Sequence, residues 1–386
     1  MARFPSLSTA GNAVPASIFA RLREHLATFQ GDIIPLQIGD THLAPPAALH
    51  DLVWSELAPA DLYAYGAPGG WQPLVDALVT KARTKNAIAV TPAGVQVAVG
   101  ATHALSCAVQ ALCDRGEELV LLTPHWPLIK GIALAHSVEP VEIGFASDIP
   151  VTPRTAAIYV ATPNNPDGAM LDAAARTRIV ETARRHDLWI LSDEVYEDYG
   201  YDAEHVSLAT LAPERTITVF SFAKSYAQAG LRVGYALGPD AAIAAIRKLV
   251  NHSVYNVPVA MQRAALAALQ GGDAFLAAAR TRYQAARDRA RARLTAPADL
   301  PPGGAYLWVD FSRWSGPKME GPGPAPGPGI DCMPVLEKIA AAGVLLAPGW
   351  AFGDACGSHA RLCFTGVDEA RLDEGIDRIN RVLAAL

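Results

Sequence analysis

From residue 95 onward, short apolar runs alternate with stretches of helical spacing, and this alternation restricts the chain to very few folds. Residues 95–99 are apolar, Gly100-Ala-Thr-His103 turns the chain, and 104–112 reads as a helix. Strand-like segments at 119–123, 138–143, 157–161 and 188–191 follow; between them lie a helix to about 135 and another that runs from an N-capping Asp172 to Arg185. The rhythm predicts right-handed βαβ units, that is, a mostly parallel sheet with helices on both faces. Several runs stop at polar clusters: Pro124-His-Trp-Pro127, Thr162-Pro-Asn-Asn-Pro-Asp-Gly168 and Ser192-Asp-Glu-Val-Tyr196. In open α/β sheets the carboxyl edge of the strands is where ligands bind.

The flanks read differently. Ile18, Leu22, Leu26 and Phe29 recur at helical spacing over 15–29, and an extended segment follows at 33–38. A helix is expected over 73–85, after the turn-rich loop 62–71. Beyond residue 235 come helical stretches at 240–250, 258–270 and 273–293, an alternating strand at 305–310, a helix at 335–342, strands at 344–346 and 361–364, and a closing helix from Asp368. The Gly/Pro-rich segment 316–329 cannot make a packed element and is expected to be an exposed or mobile loop. A length of 386 residues predicts two or three domains at about 150 residues each. We assign 41–289 to a large domain, and both chain ends, 1–40 and 290–386, to a smaller α+β domain.

Charge and composition exclude several roles. The chain has 32 Lys+Arg against 38 Asp+Glu and no basic block, so nucleic acid is not an expected partner. There is no apolar run of bilayer length and no signal-type h-region near Arg3, Arg21 and Arg23, which predicts a cytoplasmic protein without a membrane partner. Cys107, Cys113, Cys332, Cys356 and Cys363 include no C-x-x-C pair or zinc spacing, so no metal is expected and the thiols read as free.

The stretch 216–235 carries the chemistry. A buried strand over 216–221 ends at Ser221, Lys224 follows within a turn, and Arg232 lies just beyond Gly230. Taken alone, Lys224 reads as a solvated charge. With its neighbours, a hydroxyl and a guanidinium could converge on one anion while the amine stays free for covalent chemistry, as a phosphorylated aldehyde cofactor requires. Gly100, Ala101 and Thr102 open a helix whose free N–H groups suit phosphate oxygens. Taken singly, Asp193 reads equally as a cap, Asn165 more readily as a turn former before proline and Tyr196 more readily as a core residue.

Together and in this order, these residues resemble the class I/II aminotransferases, fold type I enzymes that depend on pyridoxal 5'-phosphate (PLP), over essentially the whole chain. The resemblance implies a three-layer, mostly parallel large domain with a smaller α+β domain. It implies that Lys224 bonds covalently to the cofactor and later moves a proton, that Asp193 keeps the pyridine nitrogen protonated, and that Tyr196 and Asn165 hydrogen-bond the ring's phenolic oxygen. Ser221 and Arg232 would hold the phosphate with Gly100, Ala101 and Thr102, and Trp126 would stack on the ring. Arg361 would grip the substrate α-carboxylate, and Gly39 would close over it. Tyr65 would reach the phosphate of a neighbouring subunit in a homodimer. The implied activity is ping-pong transfer of an amino group to a 2-oxo acid.

His103, Trp71 and the Pro/Gly run at 321–329 depart from the common pattern. His252-Ser-Val-Tyr-Asn256 lacks the arginine that dicarboxylate-specific members offer a side-chain carboxylate. With His42, Trp71, His103 and Trp126 expected near the pocket, we read the donor as a neutral, apolar or aromatic L-amino acid. A PLP lyase or cyclising enzyme of the same fold is the alternative. A sensor fused to a DNA-binding head is disfavoured, because the segment before Ile33 is too short for a helix-turn-helix and has no basic cluster.

Overall fold

The structure is a computed structural model that describes residues 7–15, 22, 29–50, 60–317 and 330–386. Strands β1 (Val95–Ala98), β2 (Glu118–Thr123), β3 (Glu139–Gly144), β4 (Thr155–Ala161), β5 (Trp189–Asp193), β6 (Thr216–Ser221) and β7 (Gly234–Leu237) form one sheet in the order β1-β7-β6-β5-β4-β2-β3. Pairing is parallel from β6 through β5, β4 and β2 to β3. Strand β7 runs antiparallel to both of its neighbours, β1 and β6. The mostly parallel sheet expected from the alternation is present.

Side-chain alternation explains why both faces are covered. Leu119, Leu121, Ala157, Tyr159, Leu191, Ile217 and Val219 point to one face, where helices α2 (Gly100–Leu112), α3 (Pro127–Ala135) and α5 (Asp240–Ser253) bury their apolar stripes. The intervening Val120, Leu122, Ile158, Val160 and Ile190 meet α4 (Ala173–Arg185) on the other face. There Val95, Val97, Phe220 and Tyr235 meet α1 (Gln72–Thr84) and α6 (Val259–Gly271). Asp172 caps α4 as expected, accepting from the Ala175 amide at 2.7 Å, and Arg184 and Arg185 complement the dipole at its far end.

A second core lies around β8 (Tyr306–Asp310), β9 (Ala347–Pro348) and β10 (His359–Cys363), an antiparallel sheet in the order β9-β10-β8. It is covered by α8 (Met333–Ala341), α9 (Glu369–Ala384) and the long α7 (Asp273–Arg293), which contributes Ala279, Tyr283, Ala286 and Ala290. Ion pairs from Arg289 and Arg293 to Asp373 and Asp377 tie α7 to α9. In place of the extended run expected over 33–38, only Ile34–Pro35 pairs, in parallel with Val344–Leu345. The chain turns immediately afterwards, with the Leu36 amide bonded to the Ile34 carbonyl. Of the helix expected over 15–29, only Leu22, Phe29 and the first residue fall among the described residues; Leu22 is helical and buried, and Phe29 lies outside any helix. Gly316–Pro317 pairs with Ile330–Asp331, and the run 321–329 lies outside the described residues. Among the described residues no helix is long and apolar enough to cross a membrane.

Candidate active site

Strand β6 ends at Ser221, whose Oγ accepts from the Ala223 amide at 3.1 Å and so caps a single helical turn, Phe222–Ser225. That cap leaves the Ser221 O–H proton free. The turn presents Lys224, half-buried, with its Nζ donating to the Gly39 carbonyl. Burial pushes the Lys224 ammonium below the usual lysine range, with nearby Asp40 opposing. The Tyr199 hydroxyl donates to the Lys224 carbonyl at 3.0 Å and holds the turn in place. Tyr199 was not singled out from sequence.

Two glycines shape the neighbouring wall. Gly100 adopts φ +75°, and a β-carbon there would stand 2.5 Å from the Arg232 guanidinium; one on Gly234 would stand 2.6 Å from the Ala101 amide. Arg232 itself has φ 57°, and its Nη1 donates to the Ala229 carbonyl at 2.9 Å. The N-terminus of α2, Ser221 and Arg232 therefore converge on one corner of a cavity of about 240 Å³, lined there by Ala101, Thr102, Ser221 and Arg232. No carboxylate pairs with Arg232 among the described residues. Backbone N–H groups, two hydroxyls and an unneutralised guanidinium make an anion cradle.

Asp193, at the end of β5, lines the same cavity. Its carboxylate accepts from the Tyr159 hydroxyl at 2.9 Å, and burial pushes its pKa up to about 6 despite that bond. The neighbouring acids turn away. Glu194 is fully buried and accepts from Ser192 (2.7 Å) and Ser207 (2.8 Å), with His205 at 2.8 Å. Glu197 pairs with Lys81 at 2.6 Å, whose ammonium lies 4.6 Å from the Phe220 ring centroid.

On the opposite wall Arg361, only 6% exposed, donates through Nη1 to Asn165 Oδ1 (2.8 Å) and through Nη2 to the Gln37 carbonyl (2.6 Å). Its Nε is buried without a partner, and no carboxylate neutralises it among the described residues. A buried, uncompensated guanidinium is costly unless an anion arrives. Tyr196, Tyr306, Trp126 and Gly39 also line the cavity. Tyr65 does not line its own chain's cavity: it is 84% exposed and its ring lies 4.6 Å from that of Tyr255.

Of the four aromatic and histidine side chains expected near the pocket, only Trp126 lines it. His103 reaches back to accept from the Val99 amide (3.2 Å) and meets Ser253, so it caps its own helix. Trp71 faces the Arg263 guanidinium at 4.8 Å, and His42 turns to the Thr365 carbonyl at 2.9 Å.

The family model for aminotransferase class I and II matches residues 32–379. The chain belongs to the class I and II aminotransferases. It is 33% identical over 370 residues to an aspartate/prephenate aminotransferase of Thermus thermophilus, covering 91% of each chain, and 31% identical over 349 residues to an arginine–pyruvate transaminase of Pseudomonas aeruginosa, covering 86% of this chain and 85% of that one. A solved Thermus thermophilus aspartate aminotransferase with maleate superposes at a TM-score of 0.86 with 29% identity, over 98% of this chain and 100% of the other. The protein is thus a PLP-dependent transferase that acts on amino acids and 2-oxo acids. The residues fit that cofactor: the anion cradle suits its phosphate, the buried Asp193 its ring nitrogen, and the desolvated Lys224 amine its aldehyde.

Proposed function

We propose that the enzyme takes a neutral, apolar or aromatic L-amino acid as donor and passes its amino group to a 2-oxo acid by a ping-pong route. Bound PLP supplies an electron sink for the carbanion formed at the substrate α-carbon. In this reading Gly100, Ala101, Thr102, Ser221 and Arg232 would hold its phosphate, Asp193 would hold a proton on the ring nitrogen, and Asn165 and Tyr196 would donate to the ring oxygen. Trp126 would pack on the ring face. Lys224 would anchor the cofactor, then carry the proton to and from the α-carbon. Arg361 would orient the α-carboxylate, and Gly39 would help exclude water. These groups would belong to a large domain of residues 41–289 and a smaller one of 1–40 with 290–386.

The observation that carries the substrate reading is the set of cations around the cavity. Among the described residues they are Lys224, Arg232 and Arg361, and in this reading each would be taken by the cofactor or the α-carboxylate. None is left on this chain for a side-chain carboxylate. A single carboxylate fork also favours donor and acceptor taking turns in one site. We expect the loaded enzyme, given single amino acids without an acceptor, to release one 2-oxo acid per site, with kcat/KM at least about tenfold higher for neutral donors than for aspartate. Preference for aspartate would overturn the substrate assignment, and continuous ammonia release would overturn transamination.

We further propose a homodimer in which Tyr65 serves the neighbouring site, supported by the exposed Tyr65–Tyr255 pair. Mixing Tyr65→Ala with Lys224→Ala is expected to restore activity that neither variant shows alone, because the hybrid contains one site with both residues intact. No recovery from a hybrid isolated with two affinity tags would rule out sharing.

A further inference from the structure

Tyr306, the first residue of β8, was not among the residues singled out from sequence, yet it touches three of them. Its hydroxyl meets the Tyr196 hydroxyl, and the two rings lie edge to face with centroids 5.7 Å apart. The Arg361 guanidinium sits 4.2 Å from its ring centroid. On its other side the hydroxyl abuts Gly39, where a β-carbon would stand 1.9 Å away. Among the described residues each of these two hydroxyls has the other as its one hydrogen-bond partner. Two O–H protons thus share one contact, and the second proton must point elsewhere.

We propose that Tyr306 is a positioning residue whose hydroxyl donates to the Tyr196 oxygen, leaving the Tyr196 O–H to donate into the cavity. This rests on the reading of Tyr196 as a donor to the cofactor's ring oxygen. The direction follows from the surroundings. The Gly39 α-carbon offers the Tyr306 proton no acceptor, and a cation over the ring strengthens Tyr306 as a donor. Burial raises both phenols, Tyr306 to about 12 and Tyr196 well above the tyrosine range, with Arg361 opposing in each. A phenol that accepts a hydrogen bond becomes the better donor in turn. The charged and titratable groups facing the pair are Arg361 and Cys363 from β10, Asp40 beside Gly39, and Lys224 across the cavity.

The test uses the cofactor-loaded enzyme and the pH at which its lysine-bound chromophore changes colour. Donation to the ring oxygen draws electron density from the proton on the Lys224 link, so weakening that donation holds the proton more tightly. Tyr306→Phe is expected to raise the transition by about half a unit to one unit, and Tyr196→Phe by more. The double variant should match Tyr196→Phe alone, because the effect passes through Tyr196. An unmoved transition in Tyr306→Phe, or fully additive shifts, would overturn the relay. If Tyr306→Phe does not fold, a fluorinated tyrosine at 306 should lower the transition, and no shift there counts equally against the proposal. Borohydride trapping on Lys224 distinguishes the two levels: a trapped link with an unmoved transition removes the relay alone, whereas an unsubstituted enzyme that traps no cofactor removes the site reading and the relay with it.

Discussion

Replacing Lys224 by alanine is expected to lower turnover by about 10⁴-fold or more and to leave no borohydride-reducible bond between protein and cofactor. Two proposed functions would disappear together: the covalent anchor and the amine that moves a proton at the substrate α-carbon, the second alone being worth about 10²–10⁴. The turn that carries Lys224 is held by the Ser221 cap and by the Tyr199 hydroxyl, neither of which needs the lysine side chain. The fold should therefore survive. The lost side chain removes a donor from the Gly39 carbonyl, which already lies at the cavity wall where water can replace it. Peptide mass mapping after reduction, with steady-state rates on the best donor, checks both parts. A cofactor still trapped in the alanine variant would refute the assignment.

Asp193→Asn is expected to cost about 10²–10³-fold in turnover while making the cofactor-free protein more stable at neutral pH. The rate falls because an amide cannot hold a proton on the ring nitrogen. The stability gain follows from linkage. Burial raises Asp193 from the usual 3.8 to about 6 in the folded chain. A raised folded-state pKa favours folding fully below pH 4, and that contribution is lost as pH rises through 6. Above that range the buried carboxylate is ionised, with the Tyr159 hydroxyl and a long contact from the Val195 amide as partners, at a cost of about 3 kcal/mol. Asparagine avoids the cost and can still accept from Tyr159. Denaturant unfolding of the cofactor-free forms should show the variant about 1–3 kcal/mol more stable at pH 8, with the gap closing toward pH 4. A variant less stable at pH 8 would mean that the carboxylate is satisfied without the cofactor. That outcome would mark an aspartate kept for its proposed chemistry at the expense of the empty fold.

Much of the site was legible because its residues sit at strand ends. Asp193 and Ser221 close two adjacent parallel strands and Asn165 lies in the loop that leaves the third, so a one-dimensional reading of where the strands stop already located one edge of one sheet. Lys224 and Arg232 follow within one connection, and Gly100 opens the helix beside them. The donor pocket was less legible. His42, Trp71 and His103 have the right character and lie near the right motifs, yet each is turned to a local partner. Composition near a site does not tell which way a side chain points.

Local order along the chain therefore determined the sheet, its carboxyl edge and the chemical types gathered there, because runs, caps and turns are written over a few consecutive residues. Tertiary structure alone decided that Glu194 and Glu197 turn from the cavity to their own partners, that Tyr159 lifts its hydroxyl to Asp193, and that Tyr306 sits between Tyr196, Arg361 and Gly39. The reason is physical. Those choices depend on neighbours from strands and helices tens to hundreds of residues away, whose packing sets the direction, burial and charge of each group only once the two cores have closed together.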